Sequence, residues 1–146
     1  MRDGSQLNLD RLTALHAQAI IRRIVDEEET QQEKEASKKK TKAQLGSDLH
    51  NTVTKALGVL QENGVYACFL YLLAKEKENG AVVVEEMLNL LDGLSFGWGK
   101  PENHSPEQVL GYISDKVTSD LERLLLAKQT LEQMLIYARY GAKARS

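Results

Sequence analysis

The sequence predicts an all-α fold, a compact bundle of about six helices. Three observations lead there. Apolar residues recur at helical spacing along most of the chain. Strand-like runs are nearly absent; Ala81–Val84 is the only β-branched cluster, and it runs straight into Glu85–Glu86. The only two prolines, Pro101 and Pro106, stand close together, which leaves the rest of the chain free to be helical. With 146 residues the expected organisation is a single helical domain over 1–146, with 26–44 as a polar extension or linker. A chain of this length buries roughly 70% of its extendable surface, enough for one core without metal or disulfide staples.

The elements follow in order. The first helix is expected from about Leu7 to Glu35, because Ala17, Ile20, Ile21 and Ile24 have the i, i+3, i+4, i+7 spacing of one face. The second is expected from about Ser47 to Glu62, with Val53, Leu57 and Leu60 inward and Asn63–Gly64 ending it. The third, Val65–Lys77, is apolar all round through Tyr66, Phe69, Leu70, Leu72 and Leu73, which reads as central and buried. Asn79–Gly80 is expected to break the chain before a fourth helix, Ala81–Leu91. A Gly-rich loop, Asp92–His104, carries Trp98 as a lid over the bundle. Ser105, Pro106 and Gln108 form a helix-start signature for the fifth helix. Ser119 with Glu122 repeats it for the last, which continues to about Lys143.

One stretch departs from this pattern. Asp26–Glu35 holds six acids and one base, and Lys38–Lys42 holds four bases. It either extends the first helix through pairs such as Glu35 with Lys39, or is a frayed linker; both readings stand.

Composition excludes several classes. Hydrophobic residues at 42% are incompatible with wholesale disorder. Nineteen Lys and Arg against 21 Asp and Glu leave a net charge of −2, unlike a polybasic protein. Cys68 is the only cysteine, so no intrachain disulfide or cysteine metal site can close, and inside so apolar a helix it reads as inert filler. The longest apolar run, Val65–Ala74, is about half the length that spans a bilayer, so no membrane contact is expected, and the cytoplasm is the expected compartment.

No catalytic set, cofactor motif or metal site is expected. His16, His50 and His104 lack zinc-protease spacing. The loop Gly93–Lys100 is not a phosphate loop: its spacing is one residue too long, Pro101 stands where Ser or Thr must bind magnesium, and it follows a helix. Arg11 and His16 form an Arg-x-x-x-x-His pair similar to that of helical HEPN ribonucleases, which makes such an enzyme one alternative; His16 near Leu9, Leu12 and Ala19 also reads as a packed core histidine. Glu85 and Glu86 point about 100° apart on a helix and read as surface charge.

The bases near the carboxyl end carry more. From Arg123 to Ser146 there are five bases and one acid. Lys128, Arg139 and Lys143 fall within about 60° on a helix, beside a core seam of Leu124, Ala127, Leu131, Met134 and Ala138. Such a ridge suits one-sided contact with a phosphate backbone, and equally complements a helix dipole. Apart from Tyr137 and Tyr140, no stacking aromatics accompany the ridge at regular spacing, so sequence-specific reading of a single strand is not indicated. Arg22, Lys55 and Lys75 are weaker candidates for the same contact, as isolated bases on otherwise weakly charged helices.

Two stretches resemble a known family. Asn63-Gly64-Val65-Tyr66-Ala67-Cys68-Phe69-Leu70-Tyr71-Leu72-Leu73-Ala74-Lys75 is similar to the Asn-Gly-Leu…Leu-Ala-Phe-Leu-x-Ala-Lys helix of the small subunit of type III-B CRISPR effectors, the Cmr complex. Met134-Leu135-Ile136-Tyr137-Ala138-Arg139-Tyr140-Gly141-Ala142-Lys143-Ala144 resembles that family's final helix, with Tyr137 where Trp is frequent and Tyr140 and Gly141 where a base and an aromatic are usual. The small subunit of the type III-A complex is the sister reading.

The resemblance implies a non-catalytic structural subunit of an antiviral RNA-guided ribonucleoprotein. It implies copies stacked head to tail, packed against the backbone and large subunits of the Cmr complex, lining the channel that holds guide RNA and target RNA. Specificity would then come from base pairing, with the protein contributing shape and charge. A helical protein-interaction adaptor without RNA contact is a further alternative.

Overall fold

A computed structural model describes residues 8–27, 40–76 and 78–146. Among them six α-helices form a helical bundle, with no strand, as the periodicity predicts. Helix α1, Leu9–Ile21, opens where the Asn8 side chain accepts the Arg11 N–H at 3.1 Å. The expected stripe of Ala17, Ile20 and Ile21, continued by Ile24 beyond the helix, is buried. Regular α geometry stops at Ile21, and Arg22–Asp26 continue as one π-helical turn. The expected start at Leu7, the extension to Glu35 and the Glu35–Lys39 pair lie outside the described residues.

Helix α2, Lys42–Asn63, starts five residues before the expected Ser47. The cause is a cap hidden in the polar run. Thr41 Oγ1 accepts the Gln44 N–H at 3.1 Å, and Gln44 Oε1 accepts the Thr41 N–H at 2.8 Å. Two otherwise orphaned donors are satisfied, so charged residues can begin a helix. Val53, Leu57 and Leu60 are buried as expected. Gly64 ends the helix at φ +97°, ψ −175°, a region essentially restricted to glycine. Gly64→Ala is therefore expected to destabilise the fold by about 1–3 kcal/mol in urea unfolding, although a Cβ there would meet nothing within 4 Å.

Helix α3, Val65–Lys75, corrects one expectation. It buries a single face of Val65, Cys68, Phe69 and Leu72, and leaves Tyr66 and Leu70 exposed. The Cys68 thiol is pushed up to about 12 by burial and donates to the Ala56 carbonyl at 3.4 Å, consistent with inert filler. Lys77, the expected end of this helix, is outside the described residues.

Helix α4, Glu78–Gly93, corrects another. It begins before the expected break and runs through Asn79–Gly80. Gly80 is buried there, and glycine is required because a Cβ would come 2.8 Å from both the Leu72 carbonyl oxygen and the Glu76 Cβ. That glycine permits close approach of α3 and α4; it does not make the turn.

The loop after Gly93 carries Trp98, which is buried as a lid, and Tyr112 OH donates to the Gly99 carbonyl at 3.0 Å. Helix α5, Pro106–Asp115, is capped by Ser105, whose hydroxyl accepts the Gln108 N–H. The reciprocal bond goes elsewhere, since the Ser105 N–H donates to Asn103 Oδ1. A short turn, Val117–Ser119, leads into α6, Leu121–Arg145. Its cap is Asp120, accepting from Glu122 and Arg123 N–H groups, in place of the expected Ser119.

Helix α6 packs most extensively on α2 and next on α1, while α1 also lies on α4. A Cβ on Gly46, near the start of α2, would fall 2.9 Å from the carbonyl of Ala142, so the start of α2 lies against the end of α6. Tyr137 OH on α6 donates to Asp10 Oδ1 on α1, which pushes the phenol up. Among the described residues no helix is long and apolar enough to cross a membrane.

Candidate nucleic-acid interface

Packing between α1 and α2 fixes how α6 is turned. Ala127, Leu131, Met134 and Ala138 are buried and Leu124 is half-buried, so the expected seam faces inward. Lys128 and Arg139 are half-buried at its edge, and Lys143 is exposed. The charged ends thus lie along one side of the helix. Among the described residues none of these three takes part in an ion pair. The Arg139 guanidinium lies 5.2 Å over the Tyr140 ring. Glu132 shares the strip and interrupts it with one negative charge.

The other bases of α6 are engaged internally. Arg123 is 3.8 Å from Asp120 and sits 5.2 Å over the Phe96 ring. Arg145 lies 3.3 Å from Asp26 and donates to the Gly141 carbonyl. Arg22 is exposed and 3.4 Å from Glu27. Lys55 is exposed on α2, and Lys75, at the end of α3, borders a polar groove of about 410 Å³ with Asp48, Asn51, Thr52 and Glu76. These three sit on other elements, and no interaction among the described residues links them to the α6 bases.

A second group of charges was not foreseen. Glu86, expected on the surface, is 6% exposed. Its Oε1 accepts from His16 Nδ1 at 3.0 Å and from Asn89 Nδ2 at 3.3 Å, and its Oε2 from Arg23 Nη1 at 2.8 Å. Arg23 Nη2 also donates to Glu85 Oε1 at 2.6 Å, and His104 Nδ1 lies 3.4 Å from Glu85 Oε2. Burial alone would raise the Glu86 carboxyl, but the bonds from His16, Arg23 and Asn89 outweigh it and hold it at about 2. An ionised carboxylate only accepts, so His16 carries its proton on Nδ1 toward Glu86. Burial lowers Arg23, and the two carboxylates more than reverse that, leaving it raised.

The cluster ties α1, α4 and the segment before α5 together. His16 meets Glu86, 70 residues away, rather than Arg11, whose side chain is exposed five positions back and about 140° around the helix. Sequence signals for it exist only in hindsight: His16 on α1 and Arg23 in the π-helical turn after it are seven apart, and Glu86 and Asn89 are an i,i+3 pair on α4.

Among the described residues no group of three or more His, Cys, Asp or Glu side chains could hold a metal ion. No protein-family model, curated protein or solved structure matches this chain.

Proposed function

We propose that this chain is a non-catalytic helical subunit of a type III-B CRISPR ribonucleoprotein that contacts the guide–target RNA through the α6 ridge. The observation that carries the reading is the selective freedom of Lys128, Arg139 and Lys143. Arg123 and Arg145, on the same helix, are tied to Asp120 and Asp26, while these three carry no ion pair among the described residues. Unpaired bases on a rigid helix can displace counterions from a phosphate backbone without first breaking an internal bond. The resemblance of Asn63–Lys75 and Met134–Ala144 to the Cmr small subunit supplies the assembly; its Asn-Gly turn is built on Gly64 at positive φ and leads into α3.

The test is charge reversal of all three bases in the assembled complex. Lys128→Glu, Arg139→Glu and Lys143→Glu together are expected to reduce RNA retention and flatten its salt dependence by about two to three in log–log slope, with helicity unchanged. Wild-type retention across a salt titration would sink the ridge. A native-level purification is expected to bring down a small RNA of uniform length together with larger subunits.

The ribonuclease alternative is served less well by the geometry. Arg11 points away from His16, and His16 Nδ1 is committed to Glu86. Labelled RNA incubated with wild-type protein and with His16→Ala is expected to stay intact in both; cleavage lost in the variant would revive that alternative.

A further inference from the structure

We infer that the strip of α6 flanking its core seam is a self-complementary seam through which two copies of this chain pair antiparallel in the absence of RNA. Leu121, Leu125, Lys128, Glu132, Arg139 and Lys143 fall within about 60° on the helix. From Leu121 to Arg139 their steps are four, three, four and seven residues, the spacing of a heptad seam.

The strip is chemically polarised. Its first third is apolar, with Leu121 69% and Leu125 52% exposed, and is edged by Glu122. Its last third is basic, with Arg139 and Lys143 beside the exposed ring of Tyr140. A phosphate backbone engages Lys128, Arg139 and Lys143 and leaves two leucines in water. A second copy turned end for end engages both thirds. With Glu132 at the two-fold axis, Leu121 faces Lys143 of the second copy and Leu125 faces its Arg139. The aliphatic stems of Lys and Arg then cover the leucines while the charged heads reach outward, Lys143 toward Glu122.

Glu132 meets its own copy at the axis, and Lys128 stands one turn away on each side to offset that repulsion. The arrangement is isologous, and it opposes the two helix dipoles. From Leu121 to Lys143 on the helix the seam runs roughly 33 Å. Pairing covers the same bases as RNA contact; that exclusivity rests on the RNA reading, and the pairing itself does not.

The experiment is sedimentation equilibrium of the full, RNA-free chain over a concentration series. Wild type is expected at twice the chain mass. Leu125→Lys sets a like charge against Arg139 and is expected to raise the dissociation constant about tenfold or more. Adding Arg139→Glu to Leu125→Lys is expected to restore the dimer, because positions 125 and 139 meet only in the antiparallel register. Far-UV circular dichroism of each variant separates dissociation from unfolding. A monomer at every concentration overturns the inference. So does a dimer indifferent to Leu125→Lys, or a double variant that stays dissociated. Each of these results leaves RNA retention by the assembled complex a separate measurement, so the two ideas fail independently.

Discussion

Arg23→Ala is expected to cost about 2–3 kcal/mol of stability, while Arg22→Ala, one residue away, is expected to cost less than about 0.5 kcal/mol. The two arginines differ in surroundings. Arg22 meets Glu27 with both side chains more than half exposed, so water and salt screen the pair. Arg23 holds two carboxylates at once, and Glu86 has only an 8% exposed side chain. Its removal leaves adjacent negative charges against each other, one of them buried with only His16 and Asn89 as donors. Urea unfolding of both variants at neutral pH measures the difference. Equal, small losses would mean that the cluster contributes little beyond solvation.

The same cluster fixes an acid response. Glu86 is held at about 2 in the fold against an ordinary 4.5. A carboxyl lowered by folding contributes stability that is fully present above the ordinary value and lost as pH falls toward the folded one. The contribution, about 3 kcal/mol, is therefore expected to vanish between about pH 4.5 and pH 2. Glu86→Gln removes the titration, so its stability is expected to change less than wild type's across that window. Thermal unfolding followed at half-unit pH intervals reads the contrast directly.

How much of this was legible in the sequence varies by the range of the interaction. Periodicity placed Ala17, Ile20, Ile21 and Ile24 on the buried side of α1 and the turn after it, and Ala127, Leu131, Met134 and Ala138 on that of α6, because a helix face is a local property. The Thr41–Gln44 cap was also local, yet the charge run around it masked the signature. Asn79–Gly80 was legible as a pair of turn formers, but the reason for its glycine lies in the backbone of Leu72, which spacing does not disclose. The Glu86 cluster joins residues 63 and 70 apart, and no periodicity names a partner at that distance. For the candidate interface, the sequence located Lys128, Arg139 and Lys143 on one ridge; which neighbouring bases are tied down became visible only with Asp26 and Asp120 in place.

Helix α3 gives the largest single-residue effect. Phe69→Ala is expected to destabilise the fold by about 3–5 kcal/mol, while Leu70→Ala, its immediate neighbour, is expected to change it by no more than about 0.5 kcal/mol. Composition alone treats the two alike, since both belong to one unbroken apolar run. Phe69 is completely buried, on the side of α3 that packs against α2, α4 and α5. Truncating it removes a ring from a close-packed interior and leaves a cavity that helices crossing on several sides cannot collapse into. Leu70 is 45% exposed, and its loss mostly returns surface to water that already reaches it. If both variants fell equally in denaturant midpoint, α3 would be buried on all sides, and the exposed strip of Tyr66 and Leu70 would have to be covered within the bundle. If only Phe69→Ala falls, Leu70→Ala becomes the sharper probe of assembly. A variant that keeps its stability but no longer joins the proposed complex would place a partner on that strip, away from the α6 ridge of Lys128, Arg139 and Lys143.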